Sequence, residues 1–119
     1  MMEKRIPKRG EIWLVSLDPS LGAEIKKTRP AVVISNDINN EHAATITVLP
    51  VTDQGEKVYP FEVSLFLKDA PSLKKISKIK CQQIRTIDKL RLIKYIGRVS
   101  SEGVALTEEA LKIHLGMAF

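Results

Sequence analysis

"ATITVLPV", residues 44–51, decides how the chain is read. Its β-branched residues suit a pleated strand, and the run ends at Thr52, Asp53, Gln54 and Gly55, where turn chemistry takes over. Similar signals lie on either side, separated by Gly, Pro, Asn and Asp: "EIWLVSL" (11–17), "AVVIS" (31–35), "FEVSL" (61–65), "KISKIKCQQ" (75–83) and "LIKYIGRVS" (92–100). In "KISKIKC" the two isoleucines, Ile76 and Ile79, stand three apart, so a bulge or register change is expected there. The "NDINN" and "NNEHAA" stretches read as polar loop.

The C-terminal end has a different pattern. Thr107 precedes "EEALKIHLGMAF", which places acids in a first helical turn as the helix dipole favours. Leu106 and Leu111 stand where a hydrophobic staple would close, and Ala110, Ile113, Leu115 and Met117 are expected against the sheet. The expectation is a mainly β (α+β) fold in a single domain spanning residues 1–119. It would be a small barrel or strongly bent antiparallel sheet of about six strands with a C-terminal helix.

Composition narrows the class. Apolar residues make up 44% of the chain, enough for one core. No apolar run approaches the roughly 20 residues that span a bilayer, and "MMEKRIPKRGE" lacks the apolar stretch of a secretion signal. A single cysteine, Cys81, leaves no internal disulfide framework. A cytoplasmic protein is expected. Net charge is +5, but residues 68–98 alone carry +8, leaving −3 for the rest. Such a basic stripe suits a polyanion partner, and it equally suits solvated strand edges kept soluble by lysine.

The candidate chemistry begins at "GAEIKKTRPAVVIS" (22–35). Pro30 biases Arg29 toward extended backbone, so the guanidinium is aimed from a strand entrance. That group offers five donors in a rigid fork matched to phosphate. Lys26 and Lys27 add positive field, and Glu24 could orient the arginine or accept a proton. Thr52 ends an apolar strand, where its hydroxyl could donate to a phosphate oxygen with Asp53 beside it. Both features also read as an ordinary surface pair and a turn-satisfying threonine. In "CQQIRTIDKLR" (81–91), Ile84 and Ile87 read as core anchors and Asp88 as a turn cap, while Gln83 and Arg85 carry groups that could read base edges or contact phosphates. His42 and His114 lack metal-ligand spacing, so no metal and no cofactor is expected.

Taken in order, these segments resemble the MazF/PemK (Kid) family of toxins from type II toxin–antitoxin systems. The resemblance rests on G-x-E-x-x-K-T-R-P (residues 22–30), a strand ending P-x-T (50–52), and "QIRTID" (83–88), and it runs over nearly the whole chain. It implies an SH3-like barrel acting as a homodimer. The implied activity is metal-independent, sequence-specific cleavage of single-stranded RNA, usually mRNA, with neutralisation by a cognate antitoxin. By matching position it implies Arg29 and Thr52 as the catalytic pair with Glu24 in support, and Lys26, Lys27, Asp53, Gln83 and Arg85 as RNA contacts. Two positions depart from the family pattern: Asp53 stands where many relatives have Ser, and Gln82 where relatives often carry an acid. The alternatives are a gyrase-poisoning toxin resembling the CcdB family, which would need no catalytic loop, and a non-catalytic RNA-binding barrel.

Overall fold

Residues 31–34 and 48–51 are buried without a break, so the strands that carry them must be covered on both faces. The computed structural model describes residues 5–117 apart from Ser20, Ile25, Lys26, Glu56, Leu67, Asp69 and Ser72. It runs β1 (Glu11–Ser16), β2 (Thr28–Val33), α1 (Asp37–His42), β3 (Thr45–Asp53), β4 (Glu62–Leu65), β5 (Ser77–Lys80), β6 (Arg85–Asp88), β7 (Leu92–Arg98) and α2 (Ser101–Leu115). The sheet order is β4-β5-β3-β2-β1-β7, with β6 also on β3. All pairings are antiparallel.

Alternation along β1–β3 feeds two cores. Ile12, Val32, Leu49 and Val51 join Val63, Leu65 and Ile79 on one side. Trp13, Val15, Ala31, Val33 and Val48 join Ile87 and Leu92 on the other. At about 1.5–3 kcal/mol per fully buried large side chain, these two layers supply the main folding drive. β3 is the hub: its first half pairs with β6 and its last three residues with β5, while β2 takes its other edge. One long strand shared this way bends the sheet around itself.

The bent antiparallel sheet with a closing helix is as expected, and the described residues form seven strands where about six were expected. The reason is local. A 3-10 turn at Cys81–Gln83 breaks the basic segment into β5 and β6. The irregular period at Ile76 arises because the strand starts one residue later; Ser77, Ile79 and Cys81 point inward, and Ile76 is exposed.

Two other expectations are corrected. The 37–42 stretch is a short helix, capped by the Asn36 side chain, which accepts from the Asn39 N–H at 2.8 Å. It is pinned by buried Asn40, whose Nδ2 donates to the Ser35 carbonyl at 2.9 Å. The C-terminal helix starts six residues before Thr107, with Ser100 as its cap. Thr107 is therefore a buried mid-helix residue whose hydroxyl donates to the Gly103 carbonyl at 2.7 Å. The earlier start fixes the sheet-facing stripe as Val104, Thr107, Ala110 and Leu111, at helical spacing. Leu106, Ile113, Leu115 and Met117 are exposed.

Candidate active site

β2 and β3 pair through Val33↔Val48, Val32↔Leu49 and Ala31↔Pro50, and there the recorded ladder stops. Prolines at 30 and 50, which have no N–H to donate, stand at that point. Beyond it the strands part company. β2 stays with β1, placing Arg29 opposite Val15, whereas β3 goes over to β5, placing Thr52 opposite Lys78. Arg29 and Thr52 thus stand two residues past the opposed pair Ala31 and Pro50, one on each arm of a fork. Side chains two apart in a strand share a face, so both project to the same side.

The mouth of the fork is a cleft of about 200 Å³ lined by Arg29, Thr52 and Asp53 together with Leu73, Lys74, Lys75 and Ser77. Three cations and one carboxylate surround it, a balance that favours an anion. Among the described residues, the Thr52 hydroxyl donates to the neighbouring Asp53 carbonyl at 3.3 Å, a loose local contact that a better acceptor can replace. Asp53 Oδ2 lies 3.5 Å from Lys75 Nζ, with both side chains largely exposed.

The remaining candidates are placed elsewhere. Glu24 is exposed, and its carboxylate closes a small turn by accepting from the Leu21 N–H at 2.6 Å; it does not line the cleft. Lys27 sits at the entrance to β2 with a left-handed φ of 67°, held by its N–H to Asp18 Oδ1 at 2.9 Å. Lys26 lies outside the described residues. Gln83 is half-buried in the 3-10 turn after β5. Arg85 reaches the Leu17 carbonyl at 3.4 Å. Arg91, which the sequence did not single out, donates to the Ser16 and Asp18 carbonyls nearby. Arg85 and Arg91 therefore brace the start of the β1–β2 connection.

Beside Thr52, its cross-strand partner Lys78 faces a buried carboxylate that the sequence does not single out. Lys78 Nζ lies 2.9 Å from Glu62 Oε1, with side-chain exposures of 12% and 1%. Gln82 Nε2 donates to Glu62 Oε2 at 2.6 Å, and the Tyr59 N–H donates to Oε1 at 3.0 Å. Burial pushes the Glu62 carboxyl up, but the hydrogen bonds from Gln82, Tyr59 and Lys78 outweigh it and hold the carboxyl below its ordinary value. Among the described residues, no three of His, Cys, Asp or Glu cluster closely enough to hold a metal ion. No helix among them is long and apolar enough to cross a membrane.

A family model for PemK-like, MazF-like toxins of type II toxin–antitoxin systems matches residues 8–115. The chain is 47% identical over 115 residues to endoribonuclease MazF9 of Mycobacterium tuberculosis, covering 92% of this chain and 97% of the relative. Endoribonuclease EndoA of Bacillus subtilis is 37% identical over 113 residues, covering 94% and 97%. Among solved structures, MazF from Deinococcus radiodurans superposes with a TM-score of 0.82 at 26% identity, covering 96% of this chain and 100% of the other. A mycobacterial endoribonuclease in complex with its cognate antitoxin shares the fold, with a TM-score of 0.79 at 23% identity over 95% and 98% of the two chains. With its forked β2–β3 cleft and a match across residues 8–115, the chain belongs to the PemK-like, MazF-like toxin family.

Proposed function

We propose that the protein is a toxin endoribonuclease that cleaves single-stranded RNA at the β2–β3 fork without a metal ion, using the substrate's own 2′-hydroxyl as nucleophile. The observation that carries this reading is the shared cleft of Arg29 and Thr52, two groups 23 positions apart in sequence. Relatives named as endoribonucleases support it. Attack by the 2′-oxygen builds a doubly charged phosphorane, and stabilising that charge is the largest task of the site. Arg29, charged at any working pH, clamps the phosphate oxygens, and the Thr52 hydroxyl turns from its weak backbone contact to donate to them. The P–O5′ bond breaks as the O2′–P bond forms, the departing 5′-oxygen takes a proton from solvent, and the products are a 2′,3′-cyclic phosphate and a 5′-hydroxyl.

Glu24 is the proposed proton acceptor. In the free protein it is engaged with Leu21, so the 21–24 turn must open and swing toward the fork when RNA binds. Lys27, Gln83 and Arg85 are proposed to contact the RNA outside the cleft. A cognate antitoxin is the proposed partner, since solved relatives include an endoribonuclease with its cognate antitoxin and the Deinococcus radiodurans MazE–MazF complex. A homodimer in the cytoplasm completes the proposal.

The test is cleavage of a long single-stranded RNA in EDTA, with the ends mapped. Arg29→Ala should lower the rate on the order of 10²–10³-fold while the protein stays folded. Glu24→Gln should lower kcat more than it raises KM. Wild-type rates from Arg29→Ala refute the assignment. Intact RNA accompanied by gyrase-dependent DNA breaks refutes the nuclease reading itself.

A further inference from the structure

We infer that Lys75 is a phosphate-binding residue of this cleft and that Asp53 acts on RNA through Lys75, as a carboxylate that the phosphate must displace. The inference rests on the nuclease reading above and adds a residue that neither spacing nor resemblance singled out.

Lys75 is positioned for the role by its backbone. It precedes β5 by two residues, and Ser77 is the cross-strand partner of Asp53. The Ser77 hydroxyl donates to the Lys75 carbonyl at 3.0 Å, and the Gln54 N–H donates to the Ile76 carbonyl at 3.3 Å. The main chain is thus tied to the end of β3, and the side chain lines the same cleft as Arg29. Its present partner is weak. The Lys75–Asp53 contact is 3.5 Å, and the two side chains are 73% and 70% exposed, the regime in which ion pairs contribute least.

Lys78, the nearest comparison, has the opposite character. Its ammonium is nearly buried and held by Glu62 at 2.9 Å and the Lys57 carbonyl at 2.8 Å. Drawing Lys78 onto RNA would strand the Glu62 carboxylate in the interior, whereas drawing Lys75 onto RNA returns Asp53 to water. A phosphodiester entering the fork therefore recruits Lys75. Asp53 competes with it and also repels it, which accounts for a carboxylate beside the scissile position: its charge is matched in the free protein by a lysine that the substrate can borrow.

The experiment uses a fully 2′-O-methylated single-stranded RNA, which lacks the attacking hydroxyl, with binding followed by fluorescence anisotropy over a salt series. Cleavage of the matching ribo-oligonucleotide is measured in parallel. Lys75→Gln should make the slope of log K against log[salt] shallower by about 0.7, the share of one phosphate contact on a single strand. Asp53→Asn should tighten binding by a factor of about two to five with an unchanged slope, as expected for release of an exposed ion pair. Lys94→Gln, on β7 and outside the cleft, should change neither. An unchanged slope for Lys75→Gln, or weaker binding by Asp53→Asn, overturns the inference even if the wild type cleaves normally. If Lys75→Gln shows the expected slope while the wild type leaves the ribo-oligonucleotide intact, the phosphate contact stands and the nuclease reading falls. Failure of the wild type to bind overturns both.

Discussion

Replacing Glu62 by alanine removes one half of a nearly buried ion pair whose lysine, Lys78, is the cross-strand partner of Thr52. At 2.9 Å and an effective dielectric of about 20, the Glu62–Lys78 attraction is about 6 kcal/mol. Taking the two charges out of water costs several kcal/mol per ion, so the intact pair contributes little net stability. Removing one partner is another matter. Glu62→Ala leaves the Lys78 ammonium 12% exposed without its counter-ion. It also takes the acceptor from the Gln82 amide and the Tyr59 N–H. The expected loss is about 3–5 kcal/mol, a large share of the roughly 5–15 kcal/mol that holds a domain of this size.

Denaturant unfolding at fixed protein concentration should show a lower midpoint with an unchanged m-value. The double variant Glu62→Gln, Lys78→Met should recover most of the loss, because no buried charge remains. The acid limb provides a second reading. The Glu62 carboxyl sits below its ordinary value of 4.5 in the folded protein. The stability it contributes is therefore complete above that ordinary value and is lost as pH falls through the lower native one. Glu62→Gln should flatten that part of the stability–pH curve. A loss below about 1 kcal/mol for Glu62→Ala, typical of an exposed pair, would refute the reasoning.

Other consequences can be checked with the same equipment. Gly103→Ala would ordinarily gain about 1 kcal/mol inside a helix. Here the added methyl would meet Val99 Cγ1 at 2.5 Å, so overpacking should turn the change into a loss of about 1 kcal/mol; a raised unfolding midpoint contradicts this. Ser100→Ala removes the acceptor for the Gly103 N–H and should cost about 1 kcal/mol, with Ser100→Asp retaining stability. Burial pushes the Cys81 thiol up to about 12, so a disulfide reagent near neutral pH should label it only after denaturant is added. Fast labelling of the native protein would place the thiol at the surface.

The sequence alone was enough to identify the strands with period-two or continuous apolar runs, because a residue's fit to a pleated, buried strand is a local property. "ATITVLPV" and "AVVIS" were legible for this reason, and their unbroken burial follows from the two cores they serve. The ordered motifs also carried the resemblance, and with it Arg29 and Thr52. What neighbours in sequence could not show was which charges are spent and which are available. Nothing local separates Lys75 from Lys78, three positions on; one is exposed beside Asp53 and the other is locked to Glu62, because β4 packs alongside β5 and not over residue 75. Glu11, which opens β1, is likewise buried and accepts from Trp13 Nε1 at 3.0 Å and Arg5 at 2.9 Å, contacts that no neighbour in sequence announces. The start of α2 was missed because its cap, Ser100, is recognised only once Val99 is seen to anchor in the core. Local pattern chose the elements; the parting of two distant strands at Pro30 and Pro50 made the cleft, since a ladder that stops there leaves residues 29 and 52 on the two arms that line one opening.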